Sequence, residues 1–294
     1  MSVYLARTNS GALPVSTADD TLFVNQRFDG EPLADAKFVQ CTFANVSFKD
    51  ADLRRCVFSA CVFEGCYFRE TKIRDCHFPA TRFLDCEFIR PKISGGGFAY
   101  SRFVRSVPPY DFLELNLPQE PNLCRDLTAN LASEASHLGM DKDARRYRLR
   151  SIEEAELSLS RGWRWKDEYA ETHFRTGVER ARAWLQLAGS RLNGVIWGHG
   201  ERIRRLLGSL AVVAGFLGPL LLFLARDHLH AQPGREIVIL DYWTLSVASI
   251  VNSPGVTQID ATGVAQWIVL AESGTGLLFL GLFVTYVFRA VTRR

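Results

Sequence analysis

Large apolar side chains recur at every fifth position from Phe23 to Phe103, seventeen in succession without a miss. Two positions before most of these centres the residue is small, as at Ala36, Cys41, Ala51, Cys56, Cys61, Cys66, Thr71, Cys76, Thr81 and Cys86. Neither an α-helix nor a plain strand repeats at five. A chain that turns a corner every five residues does, with one large and one small side chain pointing inward on each side. Such self-similarity predicts a solenoid over residues 21–105, in which each unit buries its apolar face only by stacking on its neighbours.

Downstream the period changes. Ser106 to Pro121 contains Pro108, Pro109, Pro118 and Pro121, and reads as an irregular connector closing the solenoid. Leu123, Leu127 and Leu131 then share a helical face, Gly139 is a natural stop, and Asp141 can cap a second helix from Lys142 to about Ser160. Residues 106–160 are therefore expected to form a helical hairpin connector. Arg145, Arg146, Arg148 and Arg150, with Glu153, Glu154 and Glu156, read as its solvated, ion-paired face. Residues 161–205 combine Trp163, Trp165, Trp184 and Trp197 with Arg180, Arg182, Arg191, Arg202, Arg204 and Arg205. That mixture suits amphipathic juxtamembrane helices against an anionic lipid surface.

The last third is the most apolar. Leu206 to Ala225 is twenty residues without a charge, and Val264 to Phe288 is twenty-five residues with one, Glu272. About twenty apolar residues cross a bilayer, so residues 206–290 read as a membrane unit with two transmembrane helices. Between them Ile237 to Val251 is mostly apolar but too short to span, and suits a re-entrant helix. Arg202, Arg204 and Arg205 precede the first span, and Arg289, Arg293 and Arg294 follow or end the second. The segment between the spans, residues 227–263, has one Arg and four acids, which predicts a multi-pass protein of the inner (cytoplasmic) membrane with both termini cytoplasmic.

The five-residue array resembles the pentapeptide-repeat family, whose members form a right-handed quadrilateral β-helix. The resemblance covers residues 21–105 and implies about four coils of about twenty residues, each about 4.8 Å above the last. Some members are acidic rods that mimic DNA. Here thirteen Lys/Arg stand against ten Asp/Glu, a balance of +3, so the dense negative surface that replaces phosphates is missing. With the two signs interspersed, nucleic acid is not an expected partner either.

The membrane unit, helix, re-entrant helix, loop and helix with a pore loop over 237–263, resembles the two-transmembrane, pore-loop channels of the potassium-channel superfamily. Glu272 and Gly276 match an acid and a glycine found early in the last helix of such channels. The resemblance implies an oligomeric pore, as a homotetramer. Potassium selectivity in that family comes from backbone carbonyls in a Thr-Val-Gly-Tyr-Gly-type filter, whose glycines permit the required dihedrals. The corresponding stretch, Val251-Asn252-Ser253-Pro254-Gly255-Val256-Thr257, lacks Gly-x-Gly, and Pro254 fixes its own φ and restricts Ser253. Potassium-like selectivity is not expected. The candidates for a pore lining are Asn252, Ser253, Pro254, Gly255, Thr257 and Asp260, together with the intramembrane acid Glu272, which either faces the pore or packs as a hydrogen-bonded residue.

The totals change this picture little: 47% hydrophobic, 23% charged and a net charge of +3 average over two unlike halves. The first twenty residues lack a basic n-region and a long apolar core, so a flexible lead-in rather than a signal peptide is expected. Six of the seven cysteines sit in the small-residue column, which suggests packed thiols in a reducing compartment. Side chains stacked one coil apart also aim alongside each other, a poor geometry for a disulfide. No nucleophile, paired acid and base, or metal-ligand spacing stands outside the repeats, so neither an enzyme nor a cofactor is expected. The functional expectation is an oligomeric ion channel whose partners are membrane lipids, further copies of itself and a cytosolic protein on the solenoid. The alternative is a non-conducting, membrane-anchored scaffold on a channel fold.

Overall fold

The computed structural model describes residues 2–5, 17–164, 176–200, 203–231 and 235–292. They divide into two compact units, residues 1–184 and 185–294.

The first unit opens with the solenoid. Its strands pair only in parallel and, from Thr17 onward, with a register of twenty residues, as in Phe23 on Phe43 on Phe63 and Phe38 on Phe58. One face stacks strands 21–24, 42–44, 62–64, 82–84 and 102–104, and single bridges Arg27–Ser47–Tyr67–Glu87 mark the next. The other two faces stack 32–34, 52–54 and 72–74, and 37–39 and 57–59. The period of five has a backbone cause. Every fifth residue from Asp20 to Arg105 has a positive φ, fifteen of them not glycine, and each of these residues turns the corner. The rod is a β-solenoid of about four coils.

Its core follows from the same register. Phe23, Phe43, Phe63, Phe83 and Phe103 stack nearly parallel with centroids 4.7–5.2 Å apart, and two further phenylalanine columns run beside them. The small column does more than save space. The thiols of Cys56, Cys61, Cys66 and Cys86 each donate to the carbonyl of the residue twenty-three positions back, at 3.2–3.5 Å. Thr71, Thr81 and Ser101 donate to the equivalent carbonyls of Phe48, Phe58 and Phe78. Cysteine thus replaces a hydroxyl as a small, weak donor, and all seven cysteines are free and buried.

The ends of the rod differ from its middle. Asp52, Lys72 and Lys92 each donate an N–H to the coil below, and the first coil carries Pro32 at that position, which has no N–H to leave unpaired. At the far end Asn130 accepts from Phe103 N (2.9 Å) and donates to Phe103 O (3.0 Å), while Glu134 accepts from Arg105 N. Asn116 donates to Ile93 O, again twenty-three positions back. Side chains therefore take the place of the next coil.

These caps come from α1 (Tyr110–Leu113), a following 3-10 turn (Glu114–Asn116) and α2 (Pro121–His137). α2 ends in a Schellman turn: Gly139 has φ +71°, its N–H donates to Ser136 O, and Met140 N donates to Ala135 O. α3 (Asp141–Arg164) then packs on α2. Three expectations need correction. The lead-in 1–20 is not wholly outside the solenoid, because Ser2–Leu5 and Thr17–Asp19 are strands paired to Thr21–Val24 and Lys37–Val39. The segment 106–121 is not irregular throughout, because a helical turn and a 3-10 turn occupy 110–116 between irregular stretches. Glu154 is buried rather than solvated, held by Arg150 at 2.7 Å one turn earlier. Trp165 lies outside the described residues.

α4 (Gly177–Trp197) crosses from the first unit into the second. The second unit continues with α5 (Ile203–Leu224), α6 (Ile239–Ile250) and α7 (Gly263–Thr292). An antiparallel ribbon pairs Leu229–Ala231 with Ile259–Ala261, joining the exit of α5 to the start of α7. Among the described residues, α5 and the stretch Gly263–Phe288 of α7 are long and apolar enough to cross a membrane.

Candidate functional site

α6 is a short, apolar helix held between two long ones, and the contacts that hold it are built from small polar residues and glycine. Its N-terminus is fixed first. The Asp241 carboxylate is buried and accepts from Val238 N at 2.9 Å, satisfying one of the free amides of the first turn. The Arg235 guanidinium pairs with the same carboxylate and also donates to Thr257 O at 3.2 Å. One arginine therefore ties the start of α6 to the turn that follows its end.

Along α6 the buried positions are Asp241, Tyr242, Leu245, Ser246 and Ser249, a single helical face. Beside that face Trp243 Nε1 donates to Gly215 O of α5 at 2.7 Å. That carbonyl is available because Pro219, four residues on, has no N–H to offer it. The helix around it widens into a π-turn over Val213–Leu217, where Gly218 N donates to Val213 O.

One turn further, Ser246 Oγ donates to Glu272 Oε1 of α7 at 2.6 Å. Gly218 of α5 closes over this pair so tightly that a methyl group there would collide with both oxygens. Glu272 is 5% exposed, and its Oε2 has no hydrogen-bond partner. Ser273 Oγ donates to Ser249 O at 2.9 Å, and Gly276 lies against the carbonyl of Ile250, again without room for a Cβ. Three helices thus meet at Gly218, Ser246 and Glu272.

The residues singled out in the sequence fall in two places. Asn252 leaves α6 with φ +58°, and Ser253 N donates back to Ala248 O. Pro254, Gly255 and Thr257 lie in a 3-10 turn (Pro254–Thr257), closed by Thr257 Oγ1 on Pro254 O at 2.8 Å. Asp260 is on the ribbon, exposed and opposite His230, rather than in the turn. Glu272 is on the other side of α6, in the helix contact just described. The carbonyls of Val247, Ala248 and Ser249, which end α6, accept from the amides of Val251, Ser253 and Asn252. Gly218, Ser246 and Ser273 are not among the residues the sequence singles out, and the contacts of Trp243 and Arg235 are not legible in it. Polar and glycine positions inside apolar runs were the available signal.

The approach to α5 is a tight turn with Gly198, His199 and Gly200 at positive φ. Arg205 donates to Gly194 O at 2.8 Å and Ser209 Oγ to Ile196 O, so the end of α4 abuts the side of α5. Leu185, Leu192 and Val195 of α4 are exposed beside Arg182 and Arg191.

No group of three or more His, Cys, Asp or Glu among the described residues is placed to hold a metal ion. In the cysteine column burial pushes the Cys41 thiol up and the Cys61 thiol to about 12, well above the ordinary thiol range.

Residues 32–107 match the model of the pentapeptide repeat region, so the chain carries a pentapeptide-repeat domain. Two solved structures of trypsin-treated QnrB1, a plasmid-mediated fluoroquinolone resistance protein, are 20% and 18% identical over 35% and 32% of this chain, with TM-scores of 0.25 and 0.21. A pentapeptide repeat protein from the Arabidopsis thaliana thylakoid lumen is 14% identical over 29% of this chain and 67% of its own, with a TM-score of 0.16. The chain spans 54% and 55% of the two QnrB1 chains. No curated protein sequence matches it.

Proposed function

We propose that residues 203–292 form a membrane-embedded, channel-like unit that assembles from several copies around a pore and carries its pentapeptide-repeat domain in the cytosol. The observation that carries this reading is α6: an apolar helix too short to span, wedged by Ser246 and Trp243 between two helices of spanning length. One copy cannot enclose a pore, so conduction requires an oligomer, with a tetramer as the reading from the channel-like layout. The exposed apolar stripe of α4, flanked by Arg182 and Arg191, lies on the anionic inner leaflet in this reading. Both termini are then cytoplasmic, in the inner membrane.

Selectivity of the potassium type is not part of the proposal. The carbonyls that end α6 are already bonded, and the turn after them carries side chains, Asn252, Ser253 and Thr257, rather than a stack of bare carbonyls. The same observation favours the second reading, a non-conducting membrane scaffold that presents the solenoid to a cytosolic protein. Flux through liposomes containing the purified full-length chain separates the two. The channel reading expects flux that Asn252→Ala and Ser253→Ala alter by severalfold; an oligomer with no flux, or with leakage indifferent to both changes, leaves the scaffold.

A further inference from the structure

The first long helix is made of two α-helical segments, Ile203–Val212 and Gly218–Leu224, joined by the π-turn. The upper segment is fixed, because Gly218 is clamped by Ser246 and Glu272. The lower segment also packs on α7 but not closely on α6, and its own attachments are Arg205 and Ser209 on the end of α4. At the junction Pro219 removes the amide that an α-helix would give to Gly215 O, and Gly215 has open space where a side chain would be. The bond that Gly215 O makes instead comes from another helix, the indole of Trp243.

We propose that Val213–Pro219 is a hinge in α5 and that the Trp243–Gly215 hydrogen bond is its latch. Release of the indole lets the lower segment shift along α7 while the upper segment stays packed on α6. Because Arg205 and Ser209 join the lower segment to α4, a displacement of α4 becomes a bend at Gly215. Kinks arise where the i to i−4 ladder is interrupted, and both Pro219 and the π-turn interrupt it here. The bend regulates the unit proposed above to be channel-like, and only that consequence rests on the channel reading.

The test measures spin-label distances in the full-length chain in lipid nanodiscs, with labels on Arg204→Cys and Leu224→Cys, both exposed. Twenty residues of helix place the two sites about 30 Å apart, and the seven native cysteines are buried away from the label. Trp243→Phe keeps the ring and removes the donor, and should broaden or shift the distance distribution. Pro219→Ala restores the amide to Gly215 O, and should narrow the distribution and make Trp243→Phe silent in its background. One unchanged narrow distance in all four proteins overturns the hinge. An equal effect of Trp243→Phe with and without Pro219 overturns the latch. If a variant fails to insert, the wild type against Pro219→Ala alone decides the hinge by the width of the distribution. Liposome flux is read separately: the expected distances with no flux in any variant retain the hinge and remove the channel reading.

Discussion

Ser246 on the short helix donates to Glu272 on the last long helix at 2.6 Å, and Gly218 on the first long helix lies directly against both oxygens. The pair is the point at which three helices are fixed to one another. A hydrogen bond of this kind contributes little in net terms when made, and leaving one partner buried and alone costs about 1–3 kcal/mol.

Ser246→Ala should therefore lower the stability of the second unit by about 1–3 kcal/mol, because it strands Glu272 Oε1. The double variant Ser246→Ala with Glu272→Leu should recover part of that loss. Thermal unfolding in detergent followed by helical circular dichroism measures both, and a double variant less stable than either single one would refute the pairing.

Gly218→Ala and Gly276→Ala put a methyl group where oxygens of neighbouring helices already stand. Overpacking of this type costs about 1–3 kcal/mol. Gly208→Ala and Gly274→Ala, at positions with open space around them, should be neutral in the same assay. Equal destabilisation at all four positions would show that the close approach is not what glycine serves here.

The cap of the solenoid gives a different readout. Asn130→Ala removes both bonds to Phe103 and exposes a strand edge. The expected loss is about 1–3 kcal/mol, with increased self-association as the open edge pairs with other chains. Light scattering and thermal unfolding of Asn130→Ala against Asn130→Asp, which keeps one acceptor, check this order.

The buried thiols make stability depend on alkaline pH. The Cys61 pKa is raised from 9.0 to about 12 by burial, so the folded state disfavours the thiolate that the unfolded chain forms. The contribution is fully present below pH 9 and is lost as pH rises from 9 towards 12. The melting temperature should fall over that interval, and Cys61→Ala should flatten the fall. A slope unchanged by Cys61→Ala would assign the alkaline limb to other groups.

The solenoid was legible because its repeat is local. A large residue every fifth position can be buried by one geometry only, and Phe23 to Phe103 never miss. Even the corners left a trace, since Asn25, Gly30, Asp35, Asn45, Asp50 and Gly65 are residue types that tolerate positive φ. The two long apolar helices were equally plain, because length and apolarity need no partner to be read. The burial of Glu154 was not legible: its pattern matches a solvated helix face, and only the packing of α3 on α2 takes it from water.

By itself, then, the sequence determined the five-residue repeat and the two apolar helices, each a property of spacing along the chain; the four-sided winding followed from the family resemblance the repeat carries. The tertiary structure decided how the rod ends, with Asn116, Asn130 and Glu134 standing in for a missing coil. It also decided how α6 is held, through Trp243 on Gly215, Ser246 on Glu272 and Ile250 against Gly276. Those contacts join residues twenty-three to twenty-nine positions apart; Asn116 keeps the offset of the repeat, but for the others no local period carries information about which distant group a side chain will reach.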